Sequence, residues 1–281
     1  MHLTEDGMKL ELNNKVPSWL DFTFNKYHGL CEAIIASDYI PITMNNYLTE
    51  NISNVNKYVI LRHDVDKMPE NALEMAKIEN NLGIQSTYYF RSTKNVFRPD
   101  IMKQIYNLGH EIGYHYEDLV KAKGNTVKAI EIFEKELSNF RSICDIKTIC
   151  MHGNSLSKWD NRDLWKSYSF QDFGIVGEAY VSIDFKKVLY LSDSGGLWNN
   201  STIRIKDTIA QDSLKLPVQL NNTDNIIDIF RNNTSYIKQI YLLVHPDRWN
   251  DSMDKWLFEY ITKKFRNSAK VLYKITQWKN D

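Results

Sequence analysis

The chain has 281 residues, of which 43% are apolar, and its 35 basic residues balance 35 acidic ones. A zero net charge argues against a nucleic-acid-binding protein, because phosphate contacts need an excess of lysine and arginine. No run approaches the ~18 consecutive apolar residues of a membrane span, and no charged and apolar secretory signal stands at the start. The three cysteines lack CxxC spacing and indicate buried thiols of a reducing compartment, so we expect a cytoplasmic protein.

The predicted secondary structure alternates between short β-branched or aromatic strands and amphipathic helices. A helix over residues 25–37 and a short strand near 39–43 come first. Seven stronger strands follow, at residues 58–63, 84–90, 111–116, 146–151, 173–180, 188–191 and 240–244. The predicted helices among and after them span residues 69–82, 99–108, 126–142, 226–237 and 253–265, with Gly83 and Gly109 closing the first two.

Seven nearly continuous apolar strands that alternate with helices predict an α/β fold with a parallel sheet covered on both faces. The pattern alone leaves both an open doubly wound sheet and a closed barrel possible. No linker or repeat divides the sequence, so we predict a single domain over residues 1–281. It comprises an N-terminal extension over residues 1–57, a core over 58–249, and a closing helix with a C-terminal strand over 250–281.

Ionisable residues follow nearly every predicted strand, at the end where folds of this class build their active sites. In chain order they are Arg62, His63, Asp64, Asp66, Arg91, His115, Glu117, Asp118, His152, Asp193, His245 and Asp247. A single histidine after a strand is more often a core residue than a ligand. Four histidines at the same end of one sheet favour a functional site.

Asp64 and Asp66 are two residues apart at a strand end, so both side chains are expected on the same side. Two carboxylates ~4 Å apart repel each other by about 4 kcal/mol at an effective dielectric of ~20, which a cation or a shared proton relieves. With histidines nearby, mixed nitrogen and oxygen ligation favours Zn²⁺, Co²⁺, Ni²⁺ or Fe²⁺ over Mg²⁺. A solvated turn without function is the alternative reading of this Asp-x-Asp pair.

His245 follows the most apolar strand and suits a general acid that a carboxylate such as Asp193 orients, with a structural His–Pro turn as the alternative. Tryptophans fall in loops or helix starts after three of the strands, at Trp159, Trp165, Trp198 and Trp249. Sugar rings stack on exposed indoles, although core packing explains most tryptophans equally well. We predict Trp159, Trp198 and Trp249, together with Arg91, as substrate-binding residues.

Four segments resemble the motifs of the polysaccharide deacetylase superfamily, also described as NodB-homology domains or carbohydrate esterase family four. In order they are LRHDVD, GHEIGYHYED, ICMHGNSLSKWDNRDLW and LLVHPDRW, and they extend over residues 58–249, roughly two-thirds of the chain. The chain is most similar to a divergent bacterial subgroup with an HDVD first motif, often associated with surface-polysaccharide synthesis. The resemblance implies a distorted (β/α)₇ TIM-like barrel of parallel strands, in agreement with the seven predicted strands.

The resemblance also implies roles for individual residues. Asp64 stands where the family has its catalytic base, and Asp66 and His115 stand where it has metal ligands. His245 matches the histidine that protonates the leaving amine. Two positions depart from the family pattern: Leu119 replaces the second metal histidine, and CMHG replaces the Arg-x-Pro of the third motif.

These departures leave the third metal ligand and the arginine near the base open. His152, Glu117 or Asp64 itself could complete the ligand set, of which we predict His152. Arg62 or Arg91 could replace the missing arginine. A site that binds no metal is a further alternative.

We therefore expect a metal-dependent hydrolase that removes an N-acyl group, N-acetyl in the first instance, from an amino sugar or glycan precursor such as a nucleotide- or lipid-linked sugar. The predicted catalytic residues are Asp64, His245 and Asp193, and the predicted metal ligands are Asp66, His115 and His152. The alternatives are a metal-independent hydrolase of cyclic amides, which Leu119 permits, and a non-catalytic carbohydrate-binding protein. The sequence predicts no oligomeric state.

Overall fold

The computed structural model describes residues 17, 19–50, 57–154, 157–198, 214, 220–232 and 237–277. Its helices are α1 (Phe24–Ile35), α2 (Met44–Thr49), α3 (Pro69–Asn81), α4 (Pro99–Asn107), α5 (Asp118–Lys121), α6 (Thr126–Arg141), α7 (Thr223–Arg231) and α8 (Met253–Gln277). Its strands are β1 (Ile40–Ile42), β2 (Tyr58–Val65), β3 (Thr87–Phe90), β4 (Glu111–Tyr116), β5 (Thr148–Met151), β6 (Gly177–Glu178), β7 (Leu189–Ser192) and β8 (Gln239–Val244). In this part of the chain, a helix with the length and apolar character to cross a membrane is not found.

All strand pairings are parallel, and the main sheet has the order β6-β5-β4-β3-β2-β8-β7. Strand β1 pairs with residues 58–60 of β2, and β3 pairs with residues 62–65, so these two strands share one edge of β2. Strand β8 occupies the other edge. Among the described residues no pairing joins β6 to β7, and the curled sheet forms a half-barrel. The predicted α/β fold with a parallel sheet is confirmed at this level.

Two helices begin with a proline and are followed by a glycine, at the positions that the sequence predicts. Pro69 and Pro99 occupy the first turns of α3 and α4, where their fixed φ suits the helix and no backbone donor is lost. Gly83 and Gly109 follow the two helices with φ of 73° and 91°, in the left-handed region that favours glycine. These local signals fix how the chain turns from each helix into the next strand.

Two predicted strands differ from the structure. Residues 173–180 form only the two-residue strand β6, because the buried Glu178 carboxylate accepts hydrogen bonds from the backbone N–H groups of Tyr180 and Val181 and so ends the strand. The C-terminal strand predicted within residues 250–281 is wrong, since α8 continues to Gln277. No proline or glycine interrupts α8, and residues 278–281 lie outside the described part.

Alternation along β2 places successive side chains on opposite faces of the sheet. Val59, Leu61 and His63 face a layer that includes α1 and α3, where His63 contacts Tyr27 and Glu79. Arg62 and Asp64 face the other way, toward tyrosines of the neighbouring strands. The period of two therefore separates His63 from the two residues that flank it.

Candidate functional site

Three side chains converge at the carboxyl ends of β2, β4 and β5. Asp66 Oδ1 lies 3.4 Å from His115 Nε2 and 3.5 Å from His152 Nε2. The two imidazole rings stand nearly perpendicular, with their centroids 5.3 Å apart. Asp66 and His152 keep 23% and 14% of their side-chain surface exposed, so solvent reaches the group from one side. The three residues predicted as metal ligands thus lie together.

The far nitrogen of each histidine faces an acceptor. His115 Nδ1 lies 3.0 Å from the carbonyl oxygen of Cys150, its partner in the β4–β5 pairing. His152 Nδ1 lies 3.2 Å from Glu117 Oε2, at ion-pair distance but without hydrogen-bond alignment. Acceptors in these positions orient the rings of metal-binding histidines and leave Nε2 as the ligand atom. Both Nε2 atoms are directed at Asp66.

The donor set fits a divalent cation. Asp66 Oδ1 is buried and accepts no hydrogen bond in the described structure. A tetrahedral ion with bonds of about 2.0–2.1 Å separates its ligand atoms by roughly 3.3–3.4 Å. The two distances from this oxygen to the histidine nitrogens, 3.4 and 3.5 Å, are close to that separation. Burial would raise the pKa of Asp66, but the nearby His152 and His115 outweigh it and hold that pKa well below its usual range. The carboxylate is therefore in its ligating form.

A second group of possible ligands shares His115. Asp64, His115 and Cys150 are buried, and theirs are the ligand atoms in the described structure that all lie within 4.8 Å of one another, so this group could also hold a metal ion. Arg62, however, donates from Nη2 to Cys150 Sγ at 2.6 Å and to Asp64 Oδ2 at 2.6 Å. A cation among these three residues would lie beside the guanidinium, which repels it.

Arg62 is the arginine that contacts Asp64. Its Nε and Nη2 atoms bind the two carboxylate oxygens at 2.7 and 2.6 Å, in the two-pronged geometry typical of Arg–carboxylate pairs. Arg62 is fully buried; its guanidinium carbon lies 4.5 Å from the ring centre of Tyr180, and Nη1 donates to the Tyr241 hydroxyl. Burial would lower the pKa of Arg62, but Asp64 raises it well above its usual value, so the pair is ionic.

Arg91 occupies a different place. Its Nη2 donates to Glu117 Oε2 at 2.8 Å, and its Nε is buried without an acceptor in the described structure. Burial would raise the pKa of Glu117, but His152 and Arg91 lower it to about 2. Arg91 therefore supports the carboxylate beside His152, and its predicted contact with substrate stays a prediction.

His245 and Asp193 form the second charged pair of the site. His245 Nδ1 lies 2.6 Å from Asp193 Oδ1, and Asp193 Oδ2 accepts from the His245 backbone N–H at 3.0 Å. Burial and Arg248 both disfavour the charged imidazole, but Asp193, with a smaller effect of Asp64, raises the pKa of His245. The contact expected between His245 and Asp193 is present, and it leaves Nε2 of His245 free to face the site.

Leu119, at the position of the family's second metal histidine, is buried in the apolar core. His152, from the end of β5, supplies the second imidazole instead. Helix α5 begins at Asp118, directly after Glu117, and turns Leu119 into the core. The imidazole that lies beside His115 in this group therefore comes from the neighbouring strand and not from position 119.

Two of the three predicted substrate-binding tryptophans are core residues. Trp198 and Trp249 are 2% and 0% exposed and pack against each other and Phe22. Their burial excludes stacking on a sugar ring. Trp249 instead donates from Nε1 to Asp193 Oδ2 at 3.0 Å and so helps to hold the partner of His245. Trp159 is half-buried, and its predicted role stays a prediction.

Two residues near the site have no individual role predicted from the sequence, although Asp247 is among the ionisable residues that follow the strands. Cys150 contacts Arg62, and its position two residues before His152 at the end of β5 is the sequence signal that could have found it. Asp247 is buried with Oδ1 unpaired in the described structure, and burial raises its pKa. Its position two residues after His245 is a weaker signal.

His63 belongs to a separate buried network around Glu79 of α3, not to the site. Glu79 lies 2.7 Å from His63 Nε2 and accepts from Tyr88, Ser86 and Tyr27. His110, assigned no function from the sequence, lies in the same network, 3.5 Å from Glu79. The expectation that four histidines share one end of the sheet is thus wrong for His63, which the alternation along β2 turns to the opposite face.

Replacing Glu79 by glutamine is expected to lower the free energy of unfolding by about 3–5 kcal/mol, because the buried groups around Glu79 lose the charged carboxylate that they share. Burial would raise the pKa of Glu79, but His63 and the other donors lower it from 4.5 to about 2. Its stabilisation is therefore complete above the unfolded pKa and is lost as the pH falls from about 4.5 to 2. Urea unfolding between pH 2 and 7 measures this.

Glu74→Gln, in the exposed Glu74–Lys77 pair on the same helix, is the matched control and is expected to cost under ~1 kcal/mol. Equal effects of the two substitutions, or a Glu79→Gln loss that is undiminished at pH 2, would contradict the assignment of Glu79 as the charged centre of the network.

No protein-family model and no curated protein matches the chain.

Proposed function

We propose that this chain is a divergent, HDVD-type member of the polysaccharide deacetylase superfamily that hydrolyses an N-acyl group, N-acetyl in the first instance, of an amino sugar or glycan precursor. The observation that carries the proposal is the convergence of Asp66, His115 and His152 in one group together with the two charged pairs Asp64–Arg62 and His245–Asp193. The half-barrel is compatible with the distorted (β/α)₇ barrel that the resemblance implies, and closure of that barrel is part of the proposal.

Of the two candidate ligand sets, we assign Asp66, His115 and His152 to the cation, because Arg62 opposes a cation beside Asp64 and Cys150. Two imidazoles and one carboxylate favour Zn²⁺, with Co²⁺, Ni²⁺ and Fe²⁺ as substitutes. When bound, such a cation supplies Lewis acidity, which polarises an acyl carbonyl and makes water a stronger acid.

Asp64 is the proposed general base. The two hydrogen bonds from Arg62 fix the Asp64 carboxylate. Each carboxylate oxygen keeps a lone pair that can accept a proton from the attacking water. A positioned base of this kind contributes ~10²–10⁴-fold to the rate. Asp64 Oδ2 lies 3.5 Å from His115 Nε2, which places the base beside the proposed ligands.

His245 is the proposed general acid. Asp193 engages its Nδ1 atom, so the proton that would pass to the departing amine is the one on Nε2 of the doubly protonated ring. The raised pKa of His245 favours the protonated ring that this role needs. Arg248 and Trp249 both donate to Asp193 and hold it in place, so Asp193 acts by positioning His245.

Release of acetate from N-acetyl amino sugars, free and nucleotide-linked, tests the proposed function. The full chain is first treated with chelator and then assayed with and without added Zn²⁺ or Co²⁺; we expect turnover only with the ion. Turnover of cyclic amides that chelator does not affect would support the metal-independent alternative. Binding of the amino sugars without turnover under every metal condition would support a non-catalytic carbohydrate-binding protein.

A further inference from the structure

Helix α8 carries a row of exposed apolar side chains. Phe258 and Phe265 are 65% and 74% exposed, and Leu257 and Ile261 are 47% and 46% exposed. Their spacing of three and four residues puts them on one side of the helix, and leucine and isoleucine at positions 272 and 275 continue the spacing in the sequence. We call the side with Leu257, Phe258, Ile261 and Phe265 the apolar face of α8.

The opposite side of α8 makes the contacts with the rest of the protein, and they are largely polar. Trp256 Nε1 donates to the Asp21 carbonyl at 2.8 Å, and Asn267 Nδ2 donates to the Gly195 carbonyl at 2.9 Å. Lys263 lies over the Phe22 ring at 4.6 Å. A surface helix ordinarily turns its apolar side to the core. Helix α8 does the reverse, so its apolar face is available to a partner.

Helix α8 is also basic, whereas the whole chain is electrically balanced. Its sequence holds six basic residues, Lys255, Lys263, Lys264, Arg266, Lys270 and Lys274, against the two acidic residues Asp254 and Glu259. Lys263 is turned to Phe22, whereas Lys255 and Lys264 are exposed at the two edges of the apolar face. A helix with an apolar side, aromatic residues and a surplus of lysine and arginine is typical of segments that lie in the interface of an anionic membrane.

The charge of α8 decides among the possible partners. A second copy of the chain would bring two basic helices together, and their like charges would repel. A nucleic acid would match the charge but offers no apolar surface to cover Phe258 and Phe265. An anionic lipid bilayer offers both features, since its acyl chains cover the apolar side chains while its headgroups attract the exposed Lys255 and Lys264.

We propose that α8 is a membrane-docking helix that lies in the plane of an anionic lipid surface, with Phe258, Ile261 and Phe265 of its apolar face inserted at the headgroup–acyl boundary. This proposal is independent of the proposed catalytic function, because none of these residues contacts the candidate site in the described structure.

Sedimentation of the full chain with lipid vesicles tests the proposal. We expect binding to vesicles of phosphatidylcholine with roughly one-third phosphatidylglycerol, weak binding to phosphatidylcholine alone, and a decrease with added salt. The double substitution Phe258→Ser/Phe265→Ser is expected to lower the partition coefficient at least about tenfold. Val127→Ser, at a residue 60% exposed on α6, is the matched control and is expected to leave it unchanged.

Three outcomes would overturn the proposal. The first is no binding to the anionic vesicles, and the second is binding that the double substitution leaves intact. The third is a dimer in light scattering that the same substitution dissociates, which would assign the apolar face to a second copy. Because all three substituted side chains are exposed, circular dichroism is expected to show folded variants.

Discussion

Asp64→Asn is expected to lower kcat/KM for the N-acyl substrate by ~10³-fold, in the middle of the range for loss of a positioned general base. Asparagine has a side chain of the same size, but its amide oxygen is too weak a base to accept the proton of the attacking water. The substitution also leaves Arg62 with a weaker partner in a buried place. Thermal unfolding and bound metal, measured on the same preparation, separate loss of the base from loss of the fold.

Asp118→Asn is the matched control for this substitution. Asp118 is also a buried aspartate near the site, but its carboxylate accepts from the Tyr114 hydroxyl and burial raises its pKa to about 7. Activity is therefore expected to fall by less than about threefold, since Asp118 has no role in the proposed mechanism and asparagine can replace a carboxyl group that is about half protonated near neutral pH. An Asp64→Asn variant that is folded, loaded and as active as Asp118→Asn would remove Asp64 from the mechanism.

His152→Ala is expected to weaken metal binding, and with it activity, by at least ~10²-fold, because one of three protein ligands is lost. Cys150→Ala is the informative counterpart. It removes a member of the Asp64–His115–Cys150 group but none of the three proposed ligands, so metal content is expected to be retained. The two substitutions therefore distinguish the two ligand sets that share His115.

Most of the candidate site could be predicted because it follows from two simple rules. Parallel strands present their carboxyl ends at one edge, and residues two apart share a side. Together these rules bring Asp64 and Asp66 to His115 and His152, as the structure shows. The same period of two places His63 on the opposite face, so its assignment to the site was avoidable from the sequence.

The remaining differences depend on packing that a single sequence does not display. Exposure of a tryptophan is set by its neighbours, and Phe22, far away in the chain, covers Trp198 and Trp249. The contact of Arg62 with Cys150 joins β2 to β5, which are not adjacent in the sheet, across its curled face. The sequence predicts α8 only over residues 253–265, because β-branched residues near its end favour a strand, while the lack of a helix-stop residue lets the helix continue to Gln277.

Elemental analysis by mass spectrometry tests the central claim most directly. The wild-type chain and the His152→Ala and Cys150→Ala variants are purified without a metal-binding tag, incubated with Zn²⁺ and freed of excess ion. We predict close to one zinc ion per chain in the wild type and in Cys150→Ala, and little in His152→Ala. Zinc that persists in His152→Ala but is lost from Cys150→Ala, or a wild type that retains none, would contradict the assignment of Asp66, His115 and His152 as the metal ligands.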